Sequence, residues 1–208
     1  MRTLTKEIRD KLTPEDAIEV LKAGNKRFVN NLKAHRNLLE QVNETADGQH
    51  PFAVILSCMD SRTSVELIFD QGLGDIFSIR IAGNILNDDI LGSLEFATAI
   101  AGSKVIVVLG HTKCGAITAA CDNVTLNNLT ILLDKIRPAI NKETETKNRR
   151  DGSNSSFVLN VTKLNVLMTI KDIKNKSNII ADLIRTGTID IVWGIYDVDY
   201  GRVEFFRK

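Results

Sequence analysis

The run Val105-Ile106-Val107-Val108-Leu109 carries no polar residue and is too short for a helix. Side chains alternate across a strand, so a run that is apolar on both faces must be covered on both sides. That places it inside a sheet with helices above and below. Pro51-Phe52-Ala53-Val54-Ile55-Leu56-Ser57 and Ile76-Phe77-Ser78-Ile79-Arg80-Ile81 precede it as further strands, and Ile189 to Val198 follows. The intervals carry helical patterns. Thr13 reads as an N-cap, with Pro14 as the first helical residue, Asp16 at the third, and Ala17, Val20, Leu21 and Phe28 as the apolar stripe. Val65, Leu67, Ile68 and Phe69 form a helix that Ser61 or Thr63 could cap and that Gly72 and Gly74 end; Asp88 to Ala101 forms another. A helix follows Cys114-Gly115-Ala116, one carries Val158, Val161, Leu164, Leu167 and Met168, and one runs from Ser177 to Thr186 with Gly187 at its end. Asp199-Tyr200-Gly201-Arg202 turns the chain back into Val203-Glu204-Phe205-Phe206.

Strands alternating with helices predict an α/β fold: a mostly parallel central sheet flanked by helices, closed by a C-terminal antiparallel edge strand. One domain is expected over 1–208, with an N-terminal helical arm over 1–40 and a core over 51–121. A loop is expected over 43–50, and a solvated polar loop over 141–156, where no apolar residue occurs.

This topology gives meaning to two short motifs. Cys58-Met59-Asp60-Ser61-Arg62 begins just past one predicted strand, and His111-Thr112-Lys113-Cys114 just past another. Ligands of open α/β sheets bind outside the carboxyl ends of the strands, so these distant positions can meet there. Two thiolates and an imidazole are zinc ligands. A structural zinc site closes with four such groups, whereas a catalytic one keeps a position open for water. Cys58 or Cys114 taken singly reads as a small buried hydrophobe, and His111 as a satisfied core imidazole. Together at two strand ends they favour a metal site. Cys121 lies too far along its helix to share the ion and reads as a core thiol. His35 and His50 read as surface residues. Asp60 and Arg62 could be an ordinary surface ion pair. Beside a metal they acquire chemical roles: Asp60 accepts a hydrogen bond from a hydroxide on the zinc and holds its lone pair toward an electrophile, and Arg62 keeps Asp60 ionised and in place. Asp60 could instead reach the metal and close the site.

Bulk properties exclude several classes. With 27 basic and 26 acidic residues, the net charge of +1 offers no general attraction for nucleic acid or an anionic membrane. Three cysteines are too few for a disulfide scaffold and suit a reducing, cytoplasmic setting. No window is apolar enough to span a bilayer, and the first residues lack the apolar core of a signal peptide. No glycine-rich phosphate loop follows a strand, which weighs against a nucleotide-binding domain.

The paired motifs, in this order, resemble the signature of the β-class carbonic anhydrases. The likeness extends through Gly74-Asp75-Ile76-Phe77, Arg80-Ile81-Ala82-Gly83-Asn84, Gly92-Ser93-Leu94-Glu95-Phe96-Ala97 and Gly194-Ile195-Tyr196-Asp197-Val198. It implies reversible hydration of carbon dioxide to bicarbonate and a proton, with one Zn2+ per chain on Cys58, His111 and Cys114. Asp60 and Arg62 match the catalytic dyad. Gln49 matches a substrate-binding glutamine, Phe77, Ala82 and Phe96 an apolar carbon dioxide pocket, and Gly83 a backbone donor near substrate. It also implies a homodimer or homotetramer whose pockets form between subunits. Departures are Ile81 where asparagine is usual, Phe96 where tyrosine is frequent, and Ile55 where some bacterial members carry the tryptophan of an accessory bicarbonate site. Two rival readings stand beside this one: the same fold acting on another small electrophile such as carbon disulfide, and a non-catalytic zinc-stabilised binding module.

Overall fold

The computed structural model describes residues 3–206. Its sheet has the order β2-β1-β3-β4-β5, from β1 (Ala53–Ser57), β2 (Ile76–Arg80), β3 (Val105–His111), β4 (Asp190–Tyr196) and β5 (Val203–Phe206). The first four strands pair in parallel, and β5 pairs antiparallel with β4 at the edge, as the sequence predicts. The helices are α1 (Lys6–Lys11), α2 (Pro14–Val29), α3 (Leu38–Glu44), α4 (Val65–Ile68), α5 (Asp88–Glu95), α6 (Gly115–Cys121), α7 (Asn127–Asp134), α8 (Arg137–Lys142), α9 (Ser155–Lys176) and α10 (Asn178–Arg185).

The central strands bury both faces, and period-two alternation sorts their side chains. Ala53, Ile55, Val105 and Val107 pack with α2 and α4, through Ala17, Ile18, Leu21, Val65 and Phe69. Val54, Leu56, Ile106 and Val108 pack on the other side with Leu94 and with Val166, Ile170 and Ile173 of α9. Each such aliphatic side chain contributes about 1.5–3 kcal/mol by leaving water. A third cluster, at the carboxyl ends of β1 and β3, joins Cys58, Cys114, Ile117, Ile136, Phe157 and Val161.

Several boundaries differ from expectation. Within 3–40, the apolar stripe of α2 packs into the core. Thr13 and Asp16 cap α2 reciprocally, and Asn25 ties it to the far edge, donating to Ile68 O and Gly201 O and accepting from Val203 N. The 43–50 loop begins inside α3, a helix whose Leu38, Leu39 and Val42 are exposed and so give no core-facing stripe. The 141–156 loop shrinks at both ends, to 143–154, since α8 and α9 claim its flanks. Nor is it wholly solvated: Glu143 is 2 % exposed and accepts from Thr146, Asn160 and Arg150. The helix over 88–101 is α5 followed by a wider π turn at Phe96–Ile100. Neither Ser61 nor Thr63 caps α4; Ser64 occupies that position without a side-chain bond.

Candidate metal centre

Parallel pairing of β1 with β3 sets Ser57 opposite Leu109, so Cys58 and His111 leave the same end of adjacent strands. Successive strands turn from β1 to opposite sides, β2 one way and β3 the other. The crevice between β1 and β3 is therefore the switch point of the sheet, where such folds bind ligands. Lys113 adopts φ 54, a left-handed turn that swings Cys114 back to the N-cap of α6.

The donor atoms of Cys58, His111 and Cys114 all lie within 4.8 Å of one another, and all three residues are buried. The two sulfurs are 3.9 Å apart. His111 Nδ1 lies 2.9 Å from Thr112 O, a carbonyl that can only accept, so Nδ1 carries the proton and Nε2 presents a lone pair. That Nε2 is buried and has no hydrogen-bond partner. A buried acceptor without a partner is costly, and a cation held with the two sulfurs would satisfy it.

The sulfurs are equally prepared for charge. The backbone N–H of Gly83 donates to Cys58 Sγ at 3.4 Å. The Cys114 thiol, and then the His111 ring, hold the Cys58 thiol below its ordinary value in spite of burial. Cys114 is pushed up, first by the Cys58 sulfur and then by burial. A divalent ion would displace the thiol protons, as thiolate ligation of zinc requires. The residues present fit a zinc ion.

Asp60 adjoins this set, its Oδ2 4.0 Å from His111 Nε2. Its Oδ1 accepts from Arg62 N and Arg62 Nε, both at 2.9 Å, and its Oδ2 accepts from Arg62 Nη2 at 2.8 Å. These bonds hold the carboxyl well below the usual carboxylate range, against partial burial. Two side chains that the sequence does not mark as site residues brace the turn. Thr63 Oγ1 donates to Cys58 O at 2.9 Å and Asp60 O at 2.8 Å, while Arg80 donates from Nε to Cys58 O and from Nη2 to Asp60 O. The run Arg80–Asn84 enters the resemblance, but nothing in its spacing says that Arg80 grips the carbonyls of the turn after β1.

The five pocket candidates divide. Gly83 lies at the metal centre, its N–H 3.4 Å from Cys58 Sγ, and Ala82 precedes it in the same turn. Phe77 pairs with Val54, four residues before Cys58 and so roughly 13 Å back along the strand. It meets Phe96 edge-on, with ring centroids 6.3 Å apart, on an outer shelf where Phe96 is 55 % exposed. Gln49 lies beside Gly74, ahead of β2, at the opposite end of the sheet. Within one chain these three side chains do not reach the donor set. Cys121 ends α6, buried, its thiol pushed up to about 11 by burial, and stands outside the cluster.

The carbonic anhydrase family profile matches residues 53–203. Carbonic anhydrase 2 of Mycobacterium tuberculosis is 37% identical over 192 residues, covering 91% of each chain. A carbonic anhydrase of Mycolicibacterium smegmatis is 34% identical over 197 residues, covering 92% of each. Among solved structures, the β-carbonic anhydrase CafA of Aspergillus fumigatus superposes with a TM-score of 0.70 at 26% identity, over 81% of both chains. One of two tetrameric β-carbonic anhydrases of Sordaria macrospora gives 0.71 at 22% identity, over 89% of this chain and 91% of its own. A match of this length, on a sheet whose switch point gathers Cys58, His111 and Cys114, places the chain in the β class of the carbonic anhydrase family, as an enzyme of that family.

Proposed function

We propose that the chain catalyses reversible hydration of carbon dioxide with one zinc ion held by Cys58, His111 and Cys114, and with Asp60 and Arg62 as the catalytic dyad. The observation that carries this reading is the partnerless His111 Nε2 between two thiols, next to a carboxylate held by Arg62. Zinc bound there supplies Lewis acidity that makes water a nucleophile near neutral pH. The chain's own groups do the rest. Asp60 remains ionised and presents Oδ2 toward the donor set, where it accepts a hydrogen bond from the attacking water and turns a lone pair to the carbon. Arg62 holds Asp60 through three donors, so the carboxylate does not rotate away. The same bonds oppose a closed site, in which Asp60 would have to leave Arg62 to reach the metal.

The substrate wall requires a second copy. Phe96 is exposed and stands edge-on to the half-buried Phe77, and Gln49 stands at the wrong end of its own sheet. We assign these three to the site of a partner subunit, in a homodimer or homotetramer, with Ala82 and Gly83 contributed in cis. In this reading 1–208 is one catalytic domain. Its three buried free cysteines suit a reducing, cytoplasmic setting, and no helix among the described residues is long and apolar enough to cross a membrane.

The test is stopped-flow carbon dioxide hydration by zinc-loaded protein at about pH 7 and about pH 8.5, beside Cys114→Ala. Turnover at both values, lost in the variant, is the expected result. Zinc-bound protein without turnover at either value would overturn the proposal and favour the binding module.

A further inference from the structure

One backbone N–H bonds a ligand sulfur among the described residues: Gly83 N–H, on Cys58 Sγ at 3.4 Å, from the turn after β2 and 25 residues along the chain from the sulfur it serves. A donor delivered from outside stays aimed only if its own turn is held.

We infer that Asn165 of α9 is the positioning residue that holds this turn, delivering the Gly83 N–H to the Cys58 sulfur and thereby setting how strongly that sulfur donates to the metal. Asn165 is 4 % exposed, on a buried helix face that carries Val158, Val161, Val166 and Ile170 beside Thr162 and Thr169. Thr169 Oγ1 lies 3.5 Å from Asn84 O in the same turn, and Asn165 makes the shorter bond to that turn. An amide in that setting is costly unless bonded. Its Nδ2 donates to Gly83 O at 2.9 Å, and because a carbonyl can only accept, the nitrogen end of the amide must face it.

The surroundings make the grip specific. Gly83 has φ 66, where an added Cβ would come within 2.8 Å of Ile136 Cδ1. The turn is therefore closed by packing on one side and pinned by the amide on the other. The helix that carries Asn165 is itself referenced to the metal centre. It approaches β3 so closely at Gly110 that a Cβ there would meet Val166 Cγ2 at 2.8 Å and Thr162 Cγ2 at 3.0 Å. Gly110 immediately precedes His111. The amide thus aligns the donor to one ligand with the strand that carries another.

The consequence is electronic. An N–H bonded to a thiolate draws charge from the sulfur, so the sulfur gives less to the metal and the metal keeps more of its acidity. This rests on the reading of the site as a zinc centre, and the experiment separates the two. Purified protein is loaded with cobalt(II), and the sulfur-to-cobalt charge-transfer band is recorded for the unmodified chain, Asn165→Leu and Thr162→Val. Zinc affinity is measured by chelator competition. Asn165→Leu is expected to move the band to lower energy, because the Cys58 sulfur then donates more strongly, while loss of the oriented outer partner that holds the site in place weakens zinc binding by roughly tenfold. Thr162 bonds only within its own helix, to Val158 O at 2.8 Å, so Thr162→Val should leave both unchanged. If the leucine is not accommodated, Asn165→Ala removes the same donor without adding bulk. A folded Asn165 variant with an unshifted band, or an equal shift in Thr162→Val, overturns the inference. Failure of the unmodified chain to take up cobalt overturns the metal centre itself.

Discussion

Replacing Asp60 by asparagine changes one atom and inverts one hydrogen bond. The carboxylate meets three Arg62 donors, two on Oδ1 and one on Oδ2. An amide has a single acceptor oxygen, and it is best placed at the Oδ1 position, where two donors converge. The NH2 group then takes the Oδ2 position. There it opposes Arg62 Nη2–H and turns a donor toward the space beside His111 Nε2. Where the wild-type chain offers an acceptor to the attacking water, the variant offers a proton. Loss of a positioned proton acceptor lowers rates by about 10²–10⁴, and a hundredfold loss corresponds to about 2.7 kcal/mol of barrier. The donor atoms of Cys58, His111 and Cys114 are untouched, so zinc content should remain at one per chain. The assay is stopped-flow hydration with metal analysis of the same samples. A variant that retains zinc and keeps kcat/KM within about threefold of the parent, well short of the range for a proton acceptor, would remove Asp60 from the chemistry. A variant that loses zinc would instead make Asp60 part of the metal site.

A shared pocket predicts complementation: Cys114→Ala and Phe96→Ala, each impaired alone, should regain about a quarter of parental activity when mixed and reassembled, because half the dimers are mixed and each then has one intact site. No recovery would place Phe96 in its own chain's site. Chelating the metal should lower the melting temperature by about 5–10 °C, since binding at a hundredfold excess over Kd contributes ~2.7 kcal/mol in a chain of this size; an unchanged melt in calorimetry would count against the donor set. Asp70 accepts from Arg27, Arg36 and Ala34 N in the interior, and these bonds hold its carboxyl below the usual range although burial opposes them. Its stabilisation is therefore complete above the unfolded carboxylate value near pH 4 and is lost as pH falls through the lower folded value. Asp70→Asn should cost about 3 kcal/mol at pH 7 by urea unfolding and progressively less in acid; a deficit that grows in acid would refute the sign.

The sheet was legible because β1 and β3 are apolar on both faces, a pattern with few other outcomes. The donor set was legible because Cys58 follows β1 directly, His111 ends β3, and Cys114 follows three residues on. Three parts were not. The helices α7 and α8 fall in 122–142, where Val124, Leu126 and Ile131 are exposed and blur the apolar stripe. The braces on the metal turn, Arg80 and Thr63, act on backbone carbonyls, which leave no trace in residue spacing. Asn165 did leave one, as a polar residue on the buried face of α9, but that signal names no partner. The pocket residues posed a different difficulty. The likeness that picked out Phe77, Phe96 and Gln49 is blind to which subunit's metal they approach, and only the register of β2 on β1 shows how far they stand from their own.

The register between β1 and β3 has a consequence for how the molecule matures. Both Cys58 and His111 hang from strand ends, so a single pairing places them. A slip of one residue would displace one donor by about 3.3 Å and turn its side chain to the opposite face. Chains trapped in that arrangement could still bury valines and isoleucines, and hydrophobic burial alone would penalise them weakly. They could not hold the ion. A zinc ion held by Cys58, His111 and Cys114 would therefore stabilise only those chains whose central strands have found their partners in the correct alignment.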